Sequence, residues 1–192
     1  VLITGSCSNQ VVNILSKGSA KILLSYFSGK NDALRLRKKN TKIFYLNVEK
    51  KLNKEQIEKI RRFKPTHLYY FATPKIFIGK AMDFKIEKFN YFNKYYLTGF
   101  EKIFQIVNKD KLKAVFSPSS VAVNKPTGKL FEYACSKSAM ETYFNYLSFK
   151  FPSIKFYYPQ LEKIRTDQTL TTFNEKMKSP NIEITKYLKK LK

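Results

Sequence analysis

The 192-residue sequence contains no tryptophan, one histidine, two cysteines and six glycines, and each scarcity excludes something. Cys7 and Cys135 are too few for a disulfide framework and lack the close spacing of a metal-ligand pair. The lone histidine, His67, lies inside the apolar run THLYYFAT, which makes it a strand residue rather than a ligand, so no metal is expected. No apolar run has the length of a membrane span and no signal-peptide pattern is visible, so the expected setting is the cytoplasm, with no membrane partner. Acidic residues are also scarce, 14 against 37 Lys and Arg, for a formal net charge of +23. Such an excess attracts polyanions. Only five of the basic residues are Arg, however (Arg35, Arg37, Arg61, Arg62 and Arg165), and the lysines run the whole length of the chain. Nucleic-acid interfaces favour clustered, bidentate guanidinium groups. The composition therefore disfavours nucleic acid as a partner and resembles the output of an AT-rich genome.

What the sequence does contain is an alternation of short apolar runs with helical patterns. VLIT at 1–4 precedes a helical NQVVNILSKG, AKILLSYF at 20–27 precedes NDALRLRKK, and KIFYLNV at 42–48 precedes NKEQIEKIRRF. HLYYFAT at 67–73 leads into an aromatic-rich helical stretch over about 84–107, and KAVFSPSS at 113–120 precedes a helix starting near Glu132. IKFYYP at 154–159 is the sixth run, 166–181 reads as a loop over the ligand crevice, and ITKYLKKLK closes the sequence as a helix. The pattern predicts an α/β fold: a doubly wound, Rossmann-like parallel sheet of six or more strands, order 3-2-1-4-5-6, with helices on both faces. Its ligand crevice belongs at the carboxyl ends of the strands. The sequence opens on Val1 already inside a strand, and the expectation is a single domain over 1–192 cut from a longer polypeptide, with flanking domains as partners.

Chemistry concentrates in SPSSVAVNKPTGKLFEYACSKSAMETY. Tyr133 and Lys137 stand four residues apart, so one helix face presents both, and the ammonium would lower the phenol's pKa. Spacing alone decides little, because the composition supplies about two such pairs by chance and three occur: Tyr26/Lys30, Tyr133/Lys137 and Tyr146/Lys150. Only Tyr133 also lies near a helix start with a serine, Ser120, thirteen residues upstream at the end of an apolar strand. A phenol with a neighbouring hydroxyl can protonate a carbonyl while polarising it.

With these residues the sequence resembles the short-chain dehydrogenase/reductase family over essentially its whole length. Thr4-Gly5 after strand one, YLNV after strand three, YYFAT at strand four, the Ser-Tyr-Lys set and TDQT at 166–169 all correspond. The stretches PTHLYYFATP, SPSSVAV and EYACSKSAMET look like ketoreductase-like domains of multidomain proteins. The resemblance implies that Ser120 polarises a substrate carbonyl, with Ser119 its nearest rival, that Tyr133 is the acid and Lys137 its tuning partner, and that Thr166 contacts the nicotinamide amide. The family's helix-four asparagine aligns with Tyr96 in YYLTGF, and Asn93, one turn earlier, takes its place only in a different register. The glycine-rich turn Thr-Gly-x-x-x-Gly-x-Gly maps onto Thr4, Gly5, Asn9 and Val11, with Ser6 and Ser8 between, so two glycines are replaced. After strand two, Lys30 and Arg35 suit a 2′-phosphate and Asp32 comes too late to bind a ribose, which favours NADP over NAD. Asn47 stands at the family's acidic position near the adenine, and Ala72 is the small residue beside it. The expected function is an NADPH-dependent reductase of a small carbonyl compound or a carrier-bound 3-oxoacyl thioester, and such domains often form homodimers. The alternative is a degenerate pseudo-reductase kept as a structural or interaction module of a larger enzyme.

Overall fold

A computed structural model describes residues 1–5, 8–15, 17–76, 83–126 and 130–162. Six strands form one parallel sheet: β1 (Leu2–Thr4), β2 (Ile22–Tyr26), β3 (Thr41–Tyr45), β4 (His67–Tyr70), β5 (Ala114–Phe116) and β7 (Lys155–Tyr157), in the order 3-2-1-4-5-7. The sixth apolar run is the seventh strand only because β6 (Ser119–Ser120) intervenes, paired in a small second sheet with β8 (Gln160–Leu161). The doubly wound arrangement predicted from the alternation is therefore observed.

Side-chain alternation along the strands splits the core in two. Leu2, Leu23, Phe44 and Leu68 face α3 (Lys54–Phe63), α5 (Phe100–Ile106) and α6 (Phe131–Lys150). Ile3, Ile22, Leu24 and Tyr69 face α1 (Ser8–Leu15) and α2 (Lys30–Arg35). Both faces being covered, β1 is buried at all three positions, as a central parallel strand must be. Val11 and Val12 of α1 are fully buried against this second face. α3 starts at a capping box: Asn53 accepts from the Gln56 N–H at 2.8 Å while the Gln56 side chain accepts from the Asn53 N–H at 3.0 Å.

The helical stretch predicted over 84–107 is interrupted. α4 (Ile86–Asn93) passes into a π-helical turn at Lys94–Gly99 before α5 begins. The extra residue displaces carbonyls from their usual partners, and side-chain hydroxyls take them over. Thr98 donates to the Lys94 carbonyl at 3.2 Å, and Tyr70, from the sheet, donates to the Tyr95 carbonyl at 2.7 Å. Gly99 makes this close passage possible, since a Cβ there would lie 2.8 Å from the Tyr70 hydroxyl.

Aromatic burial has a consequence at high pH. Burial pushes the phenols of Tyr69 and Tyr133 up to about 12, and raises those of Tyr70 and Tyr96 well above their ordinary value. Unfolded tyrosines ionise near pH 10. Above that pH the unfolded chain releases protons that the native protein keeps, so native stability is full below pH 10 and falls between about pH 10 and 12. Denaturant unfolding at pH 9 and pH 11 is expected to show the loss, with the buried phenols ionising together as the fold opens; equal stability at the two values would refute it.

Candidate active site

The carboxyl ends of β1, β4 and β5 converge at the point where the strand order reverses, the place where open α/β sheets bind ligands. β1 ends in Thr4, which is fully buried and whose hydroxyl has no hydrogen-bond partner among the described residues. Gly5 follows with φ +95°, packed so tightly on the strand-four extension that a Cβ would lie 2.3 Å from the Phe71 carbonyl carbon. Glycine is the residue this passage requires.

β5 runs into Ser117-Pro118, then into β6. Ser120 caps a short 3₁₀ turn, its Oγ accepting from the Ala122 N–H at 3.2 Å. The Ser120 hydroxyl adjoins the Tyr133 phenol and acts on its ionisation. Burial pushes the Tyr133 phenol up to about 12, with the Ser120 hydroxyl pulling the other way. The phenol is thus raised, where the sequence spacing implied a lowering by Lys137. Lys137 Nζ donates to the Pro118 carbonyl at 2.7 Å and lies 3.9 Å from the centre of the Tyr96 ring. The Tyr133 ring stands edge-on to Phe92 and Tyr96, with centroids 5.6 and 5.9 Å away.

Ser120 and Ser119 are separated by their surroundings. Ser119 donates to Glu141, which also accepts from the Gln160 amide at 3.1 and 3.2 Å, and Asn124 donates to the Gln160 side-chain oxygen. Ser119 thus fastens the strand to α6, and Ser120 faces Tyr133. Glu132, the neighbour of Tyr133, is buried and accepts from the Lys85 N–H at 3.0 Å and the Lys88 ammonium at 3.3 Å. Burial alone would raise its carboxyl, but these hydrogen bonds and that of its own N–H hold it below the usual range. Sequence reasoning passed over Glu141, Gln160 and Glu132. Glu141 was within reach, since it follows Lys137 by one helical turn.

The remaining candidates are dispersed. Asn93 accepts from the Ser136 hydroxyl at 2.6 Å, and the residue of its helix whose ring lies against Lys137 is Tyr96. Asn47 is buried and its side chain accepts from the Glu49 N–H at 2.9 Å. Ala72 is partly buried beside Gly5, and Lys30 is exposed at the start of α2. Ser8 and Asn9 belong to the first turn of α1. Ser6 and Thr166, with the predicted loop at 166–181 and closing helix, lie outside the described residues. A broad open groove occupies the opposite end of the sheet near Val1, Lys21, Thr41 and His67, and none of the site candidates lines it. Among the described residues no cluster of metal-ligating side chains is present and no helix is long and apolar enough to cross a membrane.

A doubly wound, Rossmann-like parallel α/β sheet, order 3-2-1-4-5-7, defines the class of fold. No protein-family model matches the sequence, and no curated protein matches it. Solved structures do match in shape. A 3-ketoacyl-(acyl-carrier-protein) reductase from Brucella melitensis, complexed with NADH, superposes with a TM-score of 0.80 at 15% identity, covering 97% of this chain and 88% of that one. An alcohol dehydrogenase from the archaeon Thermococcus sibiricus, complexed with 5-hydroxy-NADP, gives 0.77 at 14% identity, covering 100% and 91%. A short-chain dehydrogenase/reductase of the glucose/ribitol dehydrogenase type from Brucella melitensis gives 0.72 at 14% identity, covering 88% and 74%. The chain has the short-chain dehydrogenase/reductase fold.

Proposed function

We propose that this chain is an NADPH-dependent carbonyl reductase, working in the cytoplasm as one domain of a longer polypeptide on a small carbonyl compound or a carrier-bound 3-oxoacyl thioester. The observation that carries the reading is the placement of Ser120 beyond the end of β5 and of Tyr133 and Lys137 one turn apart on α6, with the Ser120 hydroxyl acting on the Tyr133 phenol. A bound nicotinamide supplies the hydride. Ser120, held through its Oγ by the Ala122 N–H, donates to the substrate's carbonyl oxygen, and Tyr133 delivers the proton. A phenol with its pKa near 12 stays protonated at neutral pH, the state a proton donor needs.

The residues suit a dinucleotide at several points. The unpartnered Thr4 hydroxyl lies next to the tight Gly5 passage, and the amino end of α1, the positive end of its dipole, follows at Ser8. In this reading Asn47 and Ala72 would flank the adenine, Lys30 would meet a 2′-phosphate, and Ser8 and Asn9 at the start of α1 would border the pyrophosphate, with Ser6 and Thr166, outside the described residues, assigned to the cofactor by the resemblance. NADPH is expected to bind more tightly than NADH, and Lys30→Ala to narrow that preference about fivefold in calorimetric titration, the effect of one exposed charged contact. An unchanged preference would remove Lys30 from the site. Exposed Ile86 and Tyr91 on α4 and Phe149 on α6 supply the apolar surface through which two copies would pair.

A second reading, the fold retained as a structural or interaction module, is favoured by Val11, fully buried where the family's turn has its last glycine, and by Tyr96 in place of the asparagine. Titration of the full chain with NADPH separates the two. Micromolar binding that weakens in Lys137→Ala, with NADPH oxidation on addition of a 3-oxoacyl thioester, supports the reductase; a folded chain that neither binds nor oxidises NADPH overturns it.

A further inference from the structure

The π-helical turn between α4 and α5 presents an aromatic ring to the Ser120–Tyr133–Lys137 constellation. Lys137 Nζ lies 3.9 Å from the Tyr96 ring centroid, well inside the roughly 6 Å over which a ring quadrupole attracts an ammonium. The ring is itself firmly held. Tyr96 is fully buried, stacks on Phe92 with an interplanar angle of 5°, meets Tyr133 edge-on, and shares a 2.6 Å hydrogen bond between its hydroxyl and that of Thr73. Its phenol is kept neutral by burial, so it offers the ammonium a π face and no ionised oxygen. Lys137 Nζ also donates to the Pro118 carbonyl at 2.7 Å and approaches the Met140 sulfur at 4.0 Å.

We propose that Tyr96 is a positioning residue of the reductase site: its ring face holds the Lys137 ammonium beside Tyr133. The inference rests on the reading of Tyr133 and Lys137 as site residues. A lysine head on a four-carbon stem loses much rotamer freedom when it engages a ligand. A ring fixed by Phe92, Tyr133 and Thr73 removes part of that freedom before any ligand arrives. It attracts the charge without consuming a directional hydrogen bond. The Thr73 hydroxyl belongs to the same device, because it ties the ring to the end of β4 and so keeps the distance between the π turn and the sheet.

Shape and quadrupole can be varied separately. Tyr96→Phe keeps the ring and removes the hydroxyl; mono-, di- and trifluorinated phenylalanine at the same position then weaken the quadrupole with little change of volume. Two quantities are read on the full chain: the NADPH dissociation constant, and the proton shift of the Lys137 ε-methylene, assigned by its loss in Lys137→Arg. In the wild type the ε-methylene is expected upfield, under the ring current, and it stays there in Tyr96→Phe and moves to the position of an exposed lysine in Tyr96→Leu. The dissociation constant is expected to change no more than about threefold in Tyr96→Phe and to climb stepwise to about tenfold over that of the Phe variant at trifluorophenylalanine. A flat affinity across the fluorinated series, or an ε-methylene at the exposed-lysine position in the wild type, overturns the proposal. Absence of NADPH binding in the wild type overturns the reductase reading instead, and the Lys137 shift in that same sample still decides whether Tyr96 holds the ammonium. The fluorinated set keeps the test decisive if Tyr96→Leu fails to fold.

Discussion

Tyr133→Phe is expected to lower NADPH-dependent carbonyl reduction by a factor of about 10² to 10⁴, the usual worth of a positioned general acid, without unfolding the protein. The substitution removes one oxygen and keeps the ring. The edge-on contacts with Phe92 and Tyr96 involve ring atoms alone, so the aromatic packing between α6 and α4 survives. The partner left behind, Ser120 Oγ, is still held by the Ala122 N–H. NADPH affinity is expected to stay within a few-fold of the wild type, because the hydroxyl removed serves the substrate and not the cofactor. A turnover loss without an affinity loss is the signature of an interaction made in the transition state only. The pH profile supplies an independent check. With the phenol near 12, the reduction rate should show no loss from Tyr133 ionisation between pH 6 and 9. Measured turnover in Tyr133→Phe within threefold of the wild type would remove Tyr133 from the chemistry.

The strands were legible because a parallel sheet covered on both faces needs unbroken apolar runs, and Leu2-Ile3, Ile22-Leu23-Leu24 and Ala114-Val115-Phe116 are such runs. Ser120 and Tyr133 stand out in the sequence for a different reason: their separation spans a strand end and a helix start, and in the structure the Ser120 hydroxyl acts on the Tyr133 phenol. The π turn was not legible. Its apolar residues still recur at three and four positions, and what inserts the extra residue is a tertiary contact, Tyr70 of the sheet taking the Tyr95 carbonyl. The choice between Asn93 and Tyr96 followed from that turn. A register argument in sequence treats both as helix positions, whereas the fold gives Asn93 to Ser136 and Tyr96 to Lys137 and Thr73.

Val11 marks a similar limit. A branched residue in place of the family's last glycine reads as an obstacle to close helix packing, and the structure shows it wholly buried in the apolar layer between α1 and the sheet. Its burial with Ile3, Ile22 and Leu24 turns a ligand-turn position into a core position. The Lys137 effect on Tyr133 was misjudged because proximity along a helix says nothing of other partners. Pro118 and Tyr96 come from elements remote in sequence, and they determine where the ammonium lies.

Gly5→Ala carries the other large effect, and it is expected to act on the fold and the crevice together. The backbone at Gly5 has φ +95°, in the region where an L side chain meets its own carbonyl, at a cost of roughly 1–2 kcal/mol. A Cβ there would also lie 2.3 Å from both the carbon and oxygen of the Phe71 carbonyl and 2.5 Å from the Ala72 nitrogen. These are backbone atoms of the β4 extension and cannot swing aside as a side chain can, so overpacking adds about 1–3 kcal/mol. The expected loss is therefore about 2–5 kcal/mol, equivalent to a fall in Tm of roughly 4–20 °C for a domain of this size. Whatever relief the structure finds must part β1 from the β4 extension, and that separation opens the switch point where Gly5 packs on Phe71 and Ala72. NADPH binding should weaken by more than tenfold even at temperatures where the variant is folded, at the 1.4 kcal/mol that each factor of ten represents. Gly18→Ala is the matched control: its Cβ meets only the Leu15 carbonyl at 3.7 Å, an ordinary contact, so its stability should change by no more than about 1 kcal/mol. Urea unfolding of the two variants side by side, followed by NADPH titration of the folded fraction, tests both. Equal stability of the two variants would mean that β1 and β4 do not approach as closely as the Gly5 geometry requires.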